Sequence, residues 1–420
     1  MVVITKKSDC CGCHACASVC AKHCITMQED SEGFLYPVVD TSTCTDCGLC
    51  EKVCPVIHQS APVAPQATYI AINRDEEIRL QSSSGGIFTL LAEQVIAEGG
   101  VVFGASFDED WSVIHAWIDT VDGLAAFRGS KYVQSRIGDT YSEARAFLQQ
   151  GRKVLFSGTP CQIAGLKKFL CKEYNNLLTV DFICHGVPSP GVWQRYLREL
   201  RKELRAERGV GKNTVPSSMD ELPVITGISF RDKTNGWKKF GFRLRYAASE
   251  AAPNSVSSSA NKVEKEFLQP FPHNPFMRGF LADVYLRPSC YACSAKSGKS
   301  GSDITIADAW GIDCFAVEHD DDKGACYVLE NTSKGVSYMS LFSFEQRIVD
   351  INVIKQYNPV YVSSVKPHPK RLQFFKQYKK DKVKPSVKDI VLQLLTPTYT
   401  DKLNWSINRR LISIKNLLHK

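Results

Sequence analysis

The 420-residue chain lacks any apolar run approaching the roughly 18 residues that a membrane-spanning helix needs. Its opening stretch, MVVITKKSDC, also lacks the apolar core of a secretory signal. These absences exclude spanning by a long apolar helix and lead us to expect a cytoplasmic protein with no transmembrane segment. Extremes of composition are missing too. A hydrophobic content of 44% with 23% charged residues is an ordinary globular balance, and the length suffices for two or three domains.

What the chain has in excess is cysteine, and ten of its 17 cysteines fall between Cys10 and Cys54. Cys10, Cys13, Cys16 and Cys20 repeat 34 positions later as Cys44, Cys47, Cys50 and Cys54, both runs reading C-x2-C-x2-C-x3-C. Three thiolates at these intervals can wrap one cubane while the fourth reaches the other cluster, the arrangement of bacterial two-cluster ferredoxins. The expected ligation is therefore crossed. Cys10, Cys13, Cys16 and Cys54 would hold one 4Fe-4S cluster, and Cys44, Cys47, Cys50 and Cys20 the second. A zinc ribbon or a disulfide knot is the competing reading, but zinc sites usually present paired C-x2-C units. The second run ends in the expected Cys54-Pro55, whereas the first ends Cys20-Ala21. Cys11 and Cys24 read as packed thiols.

The formal charge of +8 loses its meaning once clusters are counted, since four thiolates around each cubane leave about −2. No nucleic-acid partner is expected. Basic residues do concentrate late, in Lys376, Lys379, Lys380, Lys382, Lys384, Lys388, Arg409 and Arg410. Leu403, Ile407, Leu411, Ile414 and Leu418 share one helical face there, suited to docking on the body, or to a peripheral membrane or partner contact.

Composition divides the chain into a small α+β ferredoxin-like domain over 1–57, a Pro/Ala-rich linker over 58–68, a large α/β domain over 69–370, and a basic, partly helical tail over 371–420. In the large domain, apolar strands such as VVFGASF, VIHAWI, KVLFSG, LLTVDFI and DITIADAW alternate with helices, which predicts a partly parallel sheet. Two interruptions are expected, a charged stretch from Arg201 to Glu221 and a low-complexity loop, ASEAAPNSVSSSANKVEKE. Between them, an alternating segment carrying Asn235-Gly236 predicts a β-hairpin.

Cys161, in the turn Gly158-Thr159-Pro160-Cys161-Gln162, and Cys184, before His185-Gly186, each follow a strand. In a parallel sheet those strand ends share one edge, where cofactors usually lie. Cys290 and Cys293 form a C-x2-C pair. Four thiols suffice for a third 4Fe-4S cluster. Two alternatives stand beside it. Cys161 and Cys184 could be buried small side chains, or Cys161 could be a nucleophile activated at a helix N-terminus with His185 as base. Ser82-Ser83-Ser84-Gly85-Gly86 at a helix start could cradle a phosphate or simply cap the helix. Arg128-Gly129-Ser130-Lys131-Tyr132 offers cations, a hydroxyl and an aromatic face, or is an exposed turn.

The order Ser84-Gly85-Gly86, Gly129-Ser130-Lys131-Tyr132, Gly158-Thr159-Pro160-Cys161-Gln162, Cys184-His185-Gly186, Cys290-x2-Cys293, Ser302-Asp303-Ile304-Thr305-Ile306 and Trp310-Gly311 resembles the coenzyme F-420 hydrogenase/dehydrogenase beta-subunit family, from Tyr69 to about Pro369. The resemblance implies a flavin-binding α/β domain holding FAD and one 4Fe-4S cluster on Cys161, Cys184, Cys290 and Cys293. It also implies flavin contacts from Ser84, Gly85, Gly86, Gly129, Ser130, Lys131 and Tyr132, with Gly158, Thr159 and Pro160 as further cofactor-binding candidates. Lys299-Ser300-Gly301 lacks the Arg often seen in the family, and Ala307 stands where Gly is usual.

The function expected is an iron-sulfur flavoprotein oxidoreductase. It would relay single electrons from ferredoxin or another redox protein through its clusters to FAD and on to a small two-electron acceptor, coenzyme F-420-like or belonging to a polysaccharide pathway. His185, Lys131 and Asp308 are the candidate proton donors or substrate contacts. The competing class is an electron-transfer subunit with no small-molecule substrate of its own.

Overall fold

The computed structural model describes residues 1–206, 222–249, 262–378 and 385–396. The expected helical face from Leu403 to Leu418, Arg409 and Arg410, and Lys379, Lys380, Lys382 and Lys384 lie outside the described residues. So do most of the charged stretch after Arg201 and the centre of the low-complexity segment.

The 34-residue repeat of the N-terminal module extends to the backbone. Gly12 and His14 have φ of 70° and 65°, and their counterparts Asp46 and Gly48 have φ of 50° and 74°. A left-handed residue on either side of the central cysteine curls each loop, so that three cysteines can face one centre. The short helices Ala15–Val19 and Leu49–Lys52 follow at the same offset. An antiparallel pair, β1 (Ile25–Glu29) and β2 (Leu35–Val39), completes the module.

The large domain contributes β3 (Ala67–Ile72), β4 (Val101–Phe107), β5 (Val113–Ile118), β6 (Val154–Ser157) and β7 (Leu177–Phe182). It continues with β8 (Val224–Asp232), β9 (Gly241–Ser249), β10 (Lys262–Pro270), β11 (Ile304–Asp308), β12 (Cys326–Glu330) and β13 (Glu345–Ile348). Eight of these form one sheet in the order β13-β3-β12-β11-β7-β6-β4-β5. β4, β6, β7 and β11 are mutually parallel, and β12 runs antiparallel to both β11 and β3, so β3 shares the parallel direction. The expected partly parallel sheet is therefore present. Its central strands are apolar on both faces because both are covered: helix Ile87–Ala97 packs on one side, and helices Thr140–Gln149 and Pro160–Leu170 on the other.

The segment around Asn235-Gly236 does pair antiparallel, as β8 with β9, but through an eight-residue connection instead of a tight turn. Trp237 in that connection is buried, which explains why the chain does not reverse at Asn-Gly. The low-complexity loop is shorter than its composition suggests. Its two ends, Ala248–Ser249 and Lys262–Glu266, belong to β9 and β10, whose pairing runs from Ser249 opposite Lys262 to Gly241 opposite Pro270. Cross-strand bonding overrides weak strand propensity there.

Helix Pro190–Ala206 fills the space under β8, β9 and β10, burying Val192, Trp193, Tyr196, Leu197, Leu200 and Leu204 along one stripe. The charged stretch beginning at Arg201 therefore starts as the end of a helix. The described part of the 371–420 segment is also built in. Phe374, from helix Arg371–Gln377, and Val387, Ile390 and Val391, from Val387–Leu395, join Trp193 and Phe276 in one core. Among the described residues no helix is long and apolar enough to cross a membrane.

The module is docked on the large domain. Cys11, Cys13, Ala15 and Val53 enter the core formed by Tyr141, Ile163, Leu166 and Phe169. A Cβ at Gly165 would come within 2.9 Å of the Cys13 Cβ, so the helix must carry Gly where the Cys13 loop lies against it. Arg371 adds a two-pronged ion pair to Glu32 at 3.0 and 2.5 Å.

Candidate iron-sulfur and cofactor site

Two cavities are walled by cysteines. The first is lined by Cys10, Cys13, Cys16 and Cys54, with Cys11, His14, Met27, Pro37 and others around them, and has an open-mouthed volume of about 350 Å³. Cys54 thus comes from the second repeat to face three cysteines of the first, which is the geometry crossed ligation requires. Burial pushes the Cys16 thiol up to about 12, with repulsion from Cys10 and Cys54 adding to it. Cys20, Cys44 and Cys50 gather in an adjoining small core with Val2, Cys24 and Ile25, against which Cys16 also packs, and Cys47 is exposed. The Val2 N–H donates to the Cys50 sulfur at 3.2 Å and the Asp46 N–H to the Cys44 sulfur at 3.4 Å. Cys24 lies 3.4 Å from Cys20, sulfur to sulfur, so it forms a wall of this group.

The second cavity, about 520 Å³ with its mouth, is lined by Cys161, Cys184, Cys290 and Cys293, together with His185, Pro160 and Lys296. The fold brings these thiols from the ends of β6 and β7 and from the turn Pro288–Ala292. Burial raises Cys290 to about 12, with repulsion from Cys161 and Cys293 contributing, and it also raises Cys184. Thiols crowded so that they repel as thiolates form a donor set that bound metal stabilises. The Val187 N–H reaches the Cys290 sulfur at 3.4 Å, and the Lys296 ammonium donates to the Cys184 carbonyl at 2.5 Å. Among the described residues, no three His, Cys, Asp or Glu side chains close around a single metal ion.

Cys11 and Val56 line both cavities, so the two are neighbours across one layer of side chains. Among the described residues Cys161 pairs with Thr159 and His185 with Asp283, and no hydrogen bond joins Cys161 to His185. The Cys161 thiol is raised well above the ordinary range, first by Cys11 and then by burial, although it sits at the N-terminus of helix Pro160–Leu170. His185 hydrogen-bonds Asp283 at 2.7 Å, which is not the nucleophile–base pairing that a nucleophilic Cys161 needs.

A third locus joins the Ser84 and Tyr132 segments. The Ser130 N–H donates to Ser83 Oγ at 2.6 Å, and Arg231 bonds the Ser83 carbonyl, the Tyr132 hydroxyl and Asp308 at 3.3, 3.1 and 2.7 Å. The Trp237 indole N–H reaches Asp308 at 3.3 Å, and its ring stacks on Trp310 with centroids 4.9 Å apart. Ser84, Ser130, Tyr132 and Asp308 are therefore brought together at the carboxyl edge of the sheet. Gly158, Thr159 and Pro160 are not part of this locus: Pro160 lines the second cysteine cavity and Thr159 Oγ1 lies 3.2 Å from the Cys161 sulfur.

The glycines differ in role. A Cβ on Gly85 would meet the Ala71 carbonyl at 2.6 Å and the Cys326 nitrogen at 2.8 Å, so packing on the sheet accounts for it. Gly86 takes φ of 80° and Gly129 φ of 79°, and only Gly129 of these three faces open space. Lys131 donates to the carbonyls of Ala126, Arg128 and Gly129, which ties its own loop together. Arg231, Lys296 and the stacking of Trp237 on Trp310 were not singled out by sequence reasoning. Arg231 was readable only as a charged residue in an alternating strand.

Comparison with known proteins places the two halves. Residues 9–57 match the 4Fe-4S dicluster domain, so the N-terminal module is an iron-sulfur electron-transfer domain. Residues 151–349 match the C terminus of the beta subunit of coenzyme F420 hydrogenase/dehydrogenase, and the chain thus joins that domain of an oxidoreductase family to a dicluster module. A solved chain in the F420-reducing NiFe hydrogenase complex from Methanosarcina barkeri is 16% identical, with 75% of this chain and 93% of that one covered at a TM-score of 0.43. No curated protein matches.

Proposed function

We propose that the chain is a flavin-dependent iron-sulfur oxidoreductase that accepts single electrons from ferredoxin or another redox protein and delivers them in pairs to a small-molecule acceptor. The observation that carries this reading is the adjacency of the two cysteine cavities through Cys11 and Val56. Clusters supply one-electron transfer, and FAD supplies exchange between single electrons and pairs. Cys10, Cys13, Cys16 and Cys54 would hold the first 4Fe-4S cluster, Cys20, Cys44, Cys47 and Cys50 the second, and Cys161, Cys184, Cys290 and Cys293 a third. Ser84, Gly86, Gly129, Ser130 and Tyr132 would border FAD, with Arg231 and Asp308 fixing that wall.

Lys131 acts in this reading by shaping the loop, and His185, oriented by Asp283, lines the large-domain cysteine cavity. Asp308 is the remaining candidate for a substrate contact, since it ends β11 at the edge where the loops converge. The acceptor is coenzyme F-420-like or a substrate of a polysaccharide pathway. Anaerobically purified protein, titrated with reduced ferredoxin, tests the reading. Its flavin absorbance should bleach and then recover on addition of a two-electron acceptor such as coenzyme F-420. A preparation without flavin overturns it, and recovery only with a partner protein supports the electron-transfer subunit instead.

A further inference from the structure

The described residues include four buried arginines, Arg79, Arg195, Arg231 and Arg287. Three have carboxylate partners: Arg79 with Asp321 at 2.5 Å, Arg195 with Glu199 at 2.8 Å and Arg231 with Asp308 at 2.7 Å. Arg287 is 1% exposed, and among the described residues no carboxylate lies within ion-pair distance of it. Its guanidinium donates to the carbonyls of Cys10 and Leu35 at 2.8 and 2.9 Å, to Gln134 Oε1 at 2.9 Å and to the Cys10 sulfur at 3.5 Å. The rings of Tyr36 and Phe34 lie 4.3 and 5.4 Å from it, centroid to guanidinium carbon. A buried cation held only by neutral acceptors is costly unless an anion completes the site. Of the groups around it that can become anionic, Cys10 acts most strongly and alone accepts from the guanidinium through its sulfur, ahead of Tyr36, Cys11 and, in the second cavity, Cys290.

We propose that Arg287 is the built-in counter-cation of the cluster held by Cys10, Cys13, Cys16 and Cys54, and that its charge raises the reduction potential of that cluster. One electron from a low-potential donor takes a four-thiolate cluster from about −2 to about −3. A fixed positive charge beside Cys10 favours the more negative state. The residue comes from the large domain, three positions before Cys290, so the charge acts on the module only when the module is docked. Arg287 is a positioning residue in this sense, and its effect on potential separates that role from a purely structural peg.

The inference rests on the cluster assignment proposed above, and its test distinguishes the two. The full chain, reconstituted anaerobically with iron and sulfide, is titrated potentiometrically and followed by electron paramagnetic resonance. Arg287→Met should lower the reduced-to-oxidised ratio of one cluster about tenfold at fixed potential, about 59 mV for a one-electron couple. Arg287→Lys should stay within about threefold of the unaltered protein, because it keeps the charge. A Lys variant as displaced as the Met variant, or a Met variant with unmoved potentials, overturns the proposal. If the Met variant fails to retain iron, Gln134→Glu places a carboxylate against the guanidinium without removing it. The same fall is then expected, and unmoved potentials overturn the proposal. Absence of iron from the unaltered N-terminal module would instead sink the cluster assignment itself.

Discussion

The two cysteine cavities are built in opposite ways. The N-terminal one comes from a local repeat, in which left-handed residues at Gly12, His14, Asp46 and Gly48 curl two equivalent loops. The large-domain one is assembled over more than a hundred residues, with Cys161 and Cys184 at strand ends and Cys290 and Cys293 on a turn. A local motif sets its own ligand geometry, whereas a dispersed one inherits it from the sheet. The dispersed site should therefore be the more sensitive to changes in the α/β body.

The largest effect expected is on iron content. Cys290→Ser should remove about four irons and leave about eight in the module, while Cys47→Ser should remove about four and spare the large-domain site. Loss of module iron from Cys290→Ser, or of large-domain iron from Cys47→Ser, would break the distinction between the sites.

Arg231→Met comes next. It leaves Asp308 without its cation in a mostly buried setting, which should destabilise the large domain by about 3 kcal/mol, read as a lower urea midpoint with loss of flavin. An unchanged midpoint would show that Asp308 finds another partner.

A comparable effect should appear on acidification. Burial holds the His115 imidazole at about 4, against an ordinary 6.5, between Ser135 and the Ser157 carbonyl, with Lys131 and His14 as the cations or potential cations facing it. Between those pH values the unfolded chain binds the extra proton. The contribution is complete above about pH 6.5 and is lost as the pH falls through 4, about 3 kcal/mol in all. His115→Gln should flatten that part of the stability profile, and an unchanged slope would contradict this account. The smallest shift expected is for Gly85→Ala, about 1–3 kcal/mol from the close approach to Ala71 and Cys326.

These predictions follow how much of the molecule was legible. Both ferredoxin-like runs, the strand-helix alternation and the convergence of Cys161 with Cys184 were readable, because each depends on local spacing or on the general rule for parallel strand ends. Arg231 and Arg287 were not readable. Each is an ordinary arginine in sequence, and its meaning depends on which buried groups the tertiary fold places around it. Helix Pro190–Ala206 carried a usable stripe of apolar residues, but its many charges masked it. The ends of the low-complexity segment became strands through pairing across β9 and β10, which no local propensity encodes.

The central claim is that one chain carries two local clusters, one dispersed cluster and a flavin. Iron, acid-labile sulfide and flavin, quantified per chain after anaerobic purification, test it most directly. The account predicts about twelve irons with one FAD. About eight irons, with Cys161, Cys184, Cys290 and Cys293 all free to react with a thiol reagent, would contradict it.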